Sequence, residues 1–187
     1  MKIVLIAPAN SIHTIRWANG LAALGHEVHL ISKHLALNNL KKIVNFYHFP
    51  FYSPAGYFFI AVKIRKLLKK IMPDIVNAHY ASGYGTTARL VNYSPWVLSI
   101  WGSDVYSFPN KSFLHKWMIK KNLYAADAIA STSKCMAKQA LSISPMLSDI
   151  TITPFGVDTK AFISNIKKEN NQLTIGTVKS LSPIYGI

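Results

Sequence analysis

Short runs of β-branched and other apolar residues alternate along the chain with stretches of helical periodicity. The predicted strands are residues 2–7, 27–32, 43–48, 74–78, 96–100, 127–131 and 150–153. The predicted helices are residues 12–24, 57–72, 83–91, 113–124 and 134–142. This order is typical of βαβ proteins, in which crossover helices join parallel strands. The sequence therefore predicts an α/β, Rossmann-like domain with three αβα layers and a mainly parallel sheet.

The alternation stops at a polar segment near the end of the chain. Residues 164–172 read as a linker, and residues 173–178 read as a new strand. A lone strand cannot bury its apolar surface. We therefore expect one domain over residues 1–163, a linker over 164–172, and the truncated start of a second domain over 173–187.

Charge and cysteine content restrict the classes of partner and site. The chain has 21 Lys and Arg against 7 Asp and Glu, a net charge of +14. Such a charge favours anionic partners, including phosphorylated substrates, membrane surfaces and nucleic acids. The single cysteine, Cys135, excludes an internal disulfide and a thiolate zinc cluster. No stretch approaches the roughly 20 apolar residues that span a bilayer, so we expect a cytoplasmic protein.

Candidate ligand-binding residues follow the predicted strands, because open parallel sheets bind ligands beyond their carboxyl ends. After the first strand, Asn10 and Ser11 begin a helix whose amides favour an anion. His13 and Arg16 share one face of that helix. A polar helix surface is the structural alternative.

Further candidates follow the later strands. They are His79, Gly102, Asp104, Ser133, Gly156 and Asp158. A structural role competes for His79, and a helix cap competes for Asp104 and Ser133. The chain has no D-x-D, H-E-x-x-H, G-x-G-x-x-G or nucleophile-elbow motif, which argues against metal sites, hydrolases and dinucleotide cofactors.

Five segments carry a family resemblance. They are residues 1–32, 73–79 (PDIVNAH), 100–104 (IWGSD), 126–133 (ADAIASTS) and 154–158 (PFGVD) with Phe162. In this order they resemble the motifs of family 4 glycosyltransferases of the GT-B fold, notably those that build bacterial surface polysaccharides. Residues 174–187 resemble the start of the family's second domain. Trp101 stands where many relatives carry histidine, and Phe155 replaces the common asparagine.

The resemblance implies the N-terminal, acceptor-side half of a retaining, hexosyltransferase-type enzyme. Its nucleotide-sugar donor would bind mainly to the missing C-terminal domain, and no metal or other cofactor is expected. The acceptor would be a saccharide or a lipid-linked saccharide, and this chain alone would be inactive. The residues assigned on this basis are His13 and Asp104 as catalytic, and Asn10, Ser11, Arg16, His79, Gly102, Ser133, Gly156 and Asp158 as substrate-binding.

The predicted helix 57–72 suggests a membrane contact. At ~100° per residue, one half of the helix carries its basic residues together with three apolar ones. This half consists of Phe58, Phe59, Val62, Lys63, Arg65, Lys66, Lys69 and Lys70. Cations among exposed aromatics suit an anionic bilayer, here the inner face of the plasma membrane. A core-packed helix with a solvated basic face is the alternative.

Two other functions remain open at this point. One is a non-catalytic fragment that binds an acceptor or a membrane. The other is a basic nucleic-acid-binding domain, against which the absence of RNP, KH and helix-turn-helix signatures argues. We expect no nucleic-acid partner.

Overall fold

The computed structural model describes residues 1–51, 55–147, 149–163, 176, 178 and 181–182. Within them, parallel strands form one sheet in the order β3-β2-β1-β4-β5-β6-β7. The strands are β1 (Lys2–Ile6), β2 (Glu27–Ser32), β3 (Asn45–His48), β4 (Ile75–His79), β5 (Trp96–Ile100), β6 (Ala128–Ser131) and β7 (Ile150–Ile152). The predicted Rossmann-like α/β class is confirmed.

Helices connect these strands at close to the predicted positions. They are α1 (Ile12–Ala23), α2 (Gly56–Ile71), α3 (Gly83–Val91), α4 (Ser103–Tyr106), α5 (Phe113–Ala125) and α6 (Lys134–Ile143). Helix α4 and a 3-10 turn at Phe108–Lys111 were not predicted from the sequence. Both lie in the connection after β5, where no apolar periodicity marks so short a helix.

The helices cover the two faces of the sheet unequally. Ile3 and Leu5 of β1 pack with α1, while Val4 and Ile6 pack with the core beneath α2, α3, α5 and α6. The strand order runs outward from β1 in one direction and from β4 in the other. Right-handed crossovers therefore place α1 opposite the remaining long helices.

Local signals in the sequence act as expected at helix ends. Gly25 follows α1 with φ +82°, a conformation that glycine adopts without strain. Pro73 closely follows the end of α2. The Ser133 hydroxyl accepts a hydrogen bond from the Met136 amide at 3.2 Å and so caps α6.

The chain divides into two compact units, Met1–Phe155 and Gly156–Ile187. The predicted linker at 164–172, and all of 173–187 except residues 176, 178, 181 and 182, lie outside the described residues. The predicted domain boundaries therefore stay predictions. None of the helices in the described part of the chain is long and apolar enough to cross a bilayer.

Candidate active site

The sheet reverses its strand order between β1 and β4, and open α/β sheets bind ligands in the crevice at such a point. Aromatic rings from the carboxyl ends of several strands meet there. We call these residues the aromatic cluster: His13, Trp17, His79, Tyr80, Trp101 and Phe155. All of them belong to the first compact unit.

Trp101 lies at the centre of the aromatic cluster. Its ring centroid is 4.5 Å from that of His79 and 5.0 Å from that of Tyr80. It is 5.8 Å from the ring of His13 and 5.2 Å from the ring of Phe155. His13 in turn stacks on Phe155, with centroids 3.9 Å apart and planes 9° from parallel. Trp101 and Phe155, the two positions that depart from the family pattern, are thus packed against each other.

His79 is fully buried at the end of β4. Its ring lies between Trp101 and Trp17, and neither ring nitrogen has a hydrogen-bond partner among the described residues. Burial lowers the pKa of His79 to about 3, so the ring is neutral at physiological pH. Its complete burial favours the structural alternative, and contact with a substrate stays a prediction.

The start of α1 presents the other predicted residues of the first loop. His13 is half-buried, whereas Arg16 and Asn10 are exposed. Burial and then the nearby Arg16 charge lower the pKa of His13. A neutral His13 can exchange hydrogen bonds with a hydroxyl, while Arg16 supplies positive charge. Ser11 is the N-cap residue of α1, but its side chain makes no capping hydrogen bond.

Asp104 is buried and accepts hydrogen bonds from the loops after β4 and β5. Its Oδ2 accepts from the Ala81 amide at 2.7 Å, and its Oδ1 accepts from the Gly102 amide at 2.7 Å. The Trp101 amide lies 3.2 Å from Oδ1. Burial raises the pKa of Asp104, and these amides oppose that shift. Asp104 therefore positions the two loops, although the N-cap residue of α4 is Gly102 rather than Asp104. A direct catalytic role for Asp104 stays a prediction.

The remaining predicted residues are described within their own units. Ser133 is the cap of α6, as described above. In the second unit, the Asp158 carboxylate accepts from the amides of Lys160 and Ala161 at 3.0 Å and 3.2 Å, which closes a turn. Gly156 is exposed in the same unit. Substrate contact by Gly156 and Asp158 stays a prediction.

Asn122 is a fully buried residue of α5 that holds the loop after β4, and it was not predicted from the sequence. Its side-chain amide donates to the Ala81 carbonyl at 2.7 Å, and its oxygen accepts from Arg89 Nε at 2.8 Å. A signal was available, because Asn122 lies on the same helix face as the buried Ile119. A polar residue on a buried helix face needs partners.

A second unpredicted feature is a cavity of about 470 Å³, here called the α2–α5 pocket. It is lined by Lys33, Tyr57, Phe58, Ser82, Gly83, Thr86, Phe108, Lys111, His115 and Met118. Lys33 Nζ lies 4.2 Å from the Tyr57 ring centroid. Lys111 Nζ lies 5.5 Å from that of Phe108. Two lysines and one histidine line the pocket, and none of the described residues that line it is acidic.

Helix α2 has the two faces that the sequence predicted. Its buried face consists of Gly56, Ile60, Ala61, Ile64, Leu68 and Ile71. Phe58, Phe59 and Val62 are 50%, 65% and 57% exposed. Lys63, Lys66, Lys69 and Lys70 are also exposed.

Arg65 has a different role from the lysines of α2. Its guanidinium donates hydrogen bonds to the carbonyls of Leu90 and Val91 at the end of α3. It therefore joins two helices of the core layer. A membrane contact by Arg65 would have to compete with these bonds.

Comparison with known proteins finds similarity to one protein family and to several solved structures. Residues 2–133 match the family described as "Glycosyl transferase 4-like". Over 111 residues the chain is 29% identical to TuaC of Bacillus subtilis, a protein ascribed to teichuronic acid biosynthesis as a glycosyltransferase. That alignment covers 57% of this chain and 28% of TuaC.

Two solved structures extend the comparison to the fold. Sucrose-phosphate synthase from Thermosynechococcus elongatus has a TM-score of 0.65 at 14% identity, over 87% of this chain and 50% of that one. UDP-N-acetylglucosamine 2-epimerase from Rickettsia bellii has a TM-score of 0.55 at 12% identity, over 76% of this chain and 41% of that one. The chain thus spans half or less of these relatives. A transferase and an epimerase share the fold, so the fold alone does not identify the reaction.

Proposed function

Because the chain belongs to the glycosyl transferase 4-like family, we propose that it is the acceptor-side half of a retaining glycosyltransferase of hexosyltransferase type. The donor is a nucleotide-sugar held mainly by a C-terminal domain, and the acceptor is a lipid-linked saccharide of a surface polysaccharide. The family match over residues 2–133 carries this proposal. The likeness to TuaC supports the polysaccharide assignment.

The candidate active site suits such a transfer. We propose that His13, whose pKa is lowered by burial and by Arg16, hydrogen-bonds a sugar hydroxyl, with its ring oriented by stacking on Phe155. A departing nucleoside diphosphate needs positive charge and helix amides to stabilise it. Arg16 lies one turn further along α1 and supplies that charge.

We expect Arg16→Ala to lower kcat/KM for sugar transfer by about a hundredfold, because it removes a group that stabilises developing negative charge. His13→Ala is expected to cost about tenfold, the order of one neutral hydrogen bond. The measurement is steady-state transfer from a nucleotide-sugar to a lipid-linked acceptor by the full-length protein.

Arg89→Lys serves as the control for this series, because Arg89 bonds to Asn122 in the core layer rather than at the start of α1. Arg89→Lys should lower the free energy of unfolding and leave kcat/KM close to the parent value. Full activity in both Arg16→Ala and His13→Ala would contradict the proposed roles.

We also propose that α2 docks the protein on the inner face of the plasma membrane. Phe58, Phe59 and Val62 form an exposed apolar strip between lysines of the same helix. Apolar side chains can enter the headgroup region while neighbouring lysines attract anionic lipids. This arrangement would bring the enzyme to a lipid-linked acceptor.

The double substitution Lys66→Gln/Lys70→Gln is expected to weaken binding to anionic vesicles about thirtyfold, at ~1 kcal/mol per lysine. Vesicle co-sedimentation over a series of phosphatidylserine contents measures the effect. The matched control is Lys134→Gln/Lys138→Gln on α6, which removes the same charge from another exposed site. Binding that does not depend on anionic lipid would refute membrane docking by this helix.

The intact mass of the protein in its source cells distinguishes the enzyme from a non-catalytic fragment. A mass near twice 20.9 kDa supports a complete two-domain transferase. A mass of 20.9 kDa means that the cell makes the 187-residue chain alone, which we expect to bind an acceptor without transferring sugar.

A further inference from the structure

We infer that the α2–α5 pocket binds the phosphate group that joins a saccharide acceptor to its lipid. This inference rests on the proposed function and identifies where one part of its substrate binds. Its support comes from the charge of the pocket, the short chain segment that links a pocket wall to the aromatic cluster, and the exposed apolar side chains next to lining residues in sequence.

The charge of the pocket suits an anion. Lys33, Lys111 and His115 line it, and the lining residues in the described part of the chain include no acidic side chain. Burial lowers the pKa of Lys33, so part of its hydration is already lost before a ligand arrives. The Ser112 side chain lies 2.7 Å from Nδ1 of His115 and fixes the orientation of that ring. Charge-assisted hydrogen bonds to phosphate are among the stronger polar contacts in proteins.

The loop after β4 links the pocket to the candidate active site. Ser82 and Gly83 line it, and Tyr80, two residues before Ser82, packs against Trp101 in the aromatic cluster. Two extended residues span at most about 7 Å. A phosphate in the pocket would therefore hold an attached saccharide near the aromatic cluster, where transfer is proposed.

Exposed apolar side chains are close neighbours in sequence of residues that line the pocket. Phe58 of α2 lines the pocket, and its neighbour Phe59 is exposed. On α5, Phe113, Leu114 and Trp117 are 80%, 71% and 49% exposed, next to the lining residue His115. A lipid chain leaving the phosphate would meet these side chains or the bilayer that they touch. A free sugar phosphate has no lipid chain and would contact only the cationic side chains of the pocket.

The test is isothermal titration calorimetry on the 187-residue chain with three probes: farnesyl phosphate, farnesol and glucose 1-phosphate. We expect farnesyl phosphate to bind at least about tenfold more tightly than either of the others, because it alone combines a negatively charged phosphate with a lipid chain. Equal affinity for farnesol would show that the pocket takes any lipid, and equal affinity for glucose 1-phosphate would show that it takes free sugar phosphates. Either result overturns the inference.

Two variants locate the binding. Lys33→Ala/Lys111→Ala is expected to weaken farnesyl phosphate binding about a hundredfold, at about tenfold for each charged contact. The matched control, Lys41→Ala/Lys138→Ala, removes the same charge from exposed positions outside the pocket and should bind like the parent. Met118→Trp fills the cavity while keeping both lysines, and it is expected to abolish binding. Parent-like affinity in both pocket variants overturns the inference.

The binding readout is independent of sugar transfer. If farnesyl phosphate binds as expected and the full-length protein transfers no sugar, the proposed function fails and the pocket stands. If transfer occurs and the pocket variants bind normally, only the pocket assignment fails.

Discussion

Replacing Asp104 by asparagine should destabilise the first compact unit by about 3 kcal/mol. The carboxylate accepts from the Ala81 amide with Oδ2 and from the Gly102 amide with Oδ1, both at 2.7 Å. Asparagine keeps the shape but replaces one of these oxygens with an NH2 group. Either orientation of its side chain therefore turns a donor toward a backbone donor and leaves a buried amide without an acceptor.

Urea unfolding of the 187-residue chain measures this effect. Asp149→Asn is the control, because Asp149 is an exposed residue beside β7 and its substitution should change the unfolding free energy by at most about 0.5 kcal/mol. Equal stabilities of the two variants would show that Asp104 does not hold the loops after β4 and β5. The Asp104→Asn protein should also show increased amide exchange at Ala81 and Gly102.

Acid should destabilise the protein through His79. Burial lowers its pKa to about 3 in the folded state, while the unfolded value is 6.5. Between these values the unfolded chain binds a proton that the folded chain does not, so stability is present above pH 6.5 and is lost as the pH falls. For this group the loss amounts to about 1.4 kcal/mol between about pH 7.5 and pH 5.5.

The comparison that isolates this effect is the parent against His79→Leu. Leucine fits an apolar position and has no ring nitrogens to leave unpartnered, so the variant should equal or exceed the stability of the parent at neutral pH. The amount by which its unfolding free energy exceeds that of the parent should grow by about 1.4 kcal/mol as the pH falls over the same interval. His26→Leu, in the turn after α1, is the control. If the unfolding free energies of the parent and His79→Leu fell in parallel with pH, His79 would not be the source of the acid sensitivity.

The fold could be predicted from the sequence because its signals are local. Strand and helix periodicities, Gly25 after α1 and the Ser133 cap each act within a few residues. Together with the preference for right-handed crossovers, they restrict the sheet to few topologies. The family motifs predicted the same class, and the sheet confirms it.

The site was less predictable because side-chain environment depends on residues far apart in sequence. The positions of the motifs identified His79 and Asp104. They could not show that His79 is buried between two tryptophans, or that Asp104 accepts hydrogen bonds from backbone amides. The α2–α5 pocket draws its walls from Lys33 to Met118, and one wall is a 3-10 turn that no periodicity reveals. Asn122 could have been found, since its helix face is otherwise apolar.

The contact between Trp101 and Phe155 has an evolutionary consequence. The rings are 5.2 Å apart, and both share His13 as a neighbour. Exchange of Trp101 alone for histidine would leave a smaller, polar ring beside Phe155. Exchange of Phe155 alone for asparagine would place an amide against the rings of His13 and Trp101. The two positions thus form an epistatic pair, so homologous sequences should carry either the two aromatic residues or the two polar ones, and few should mix them.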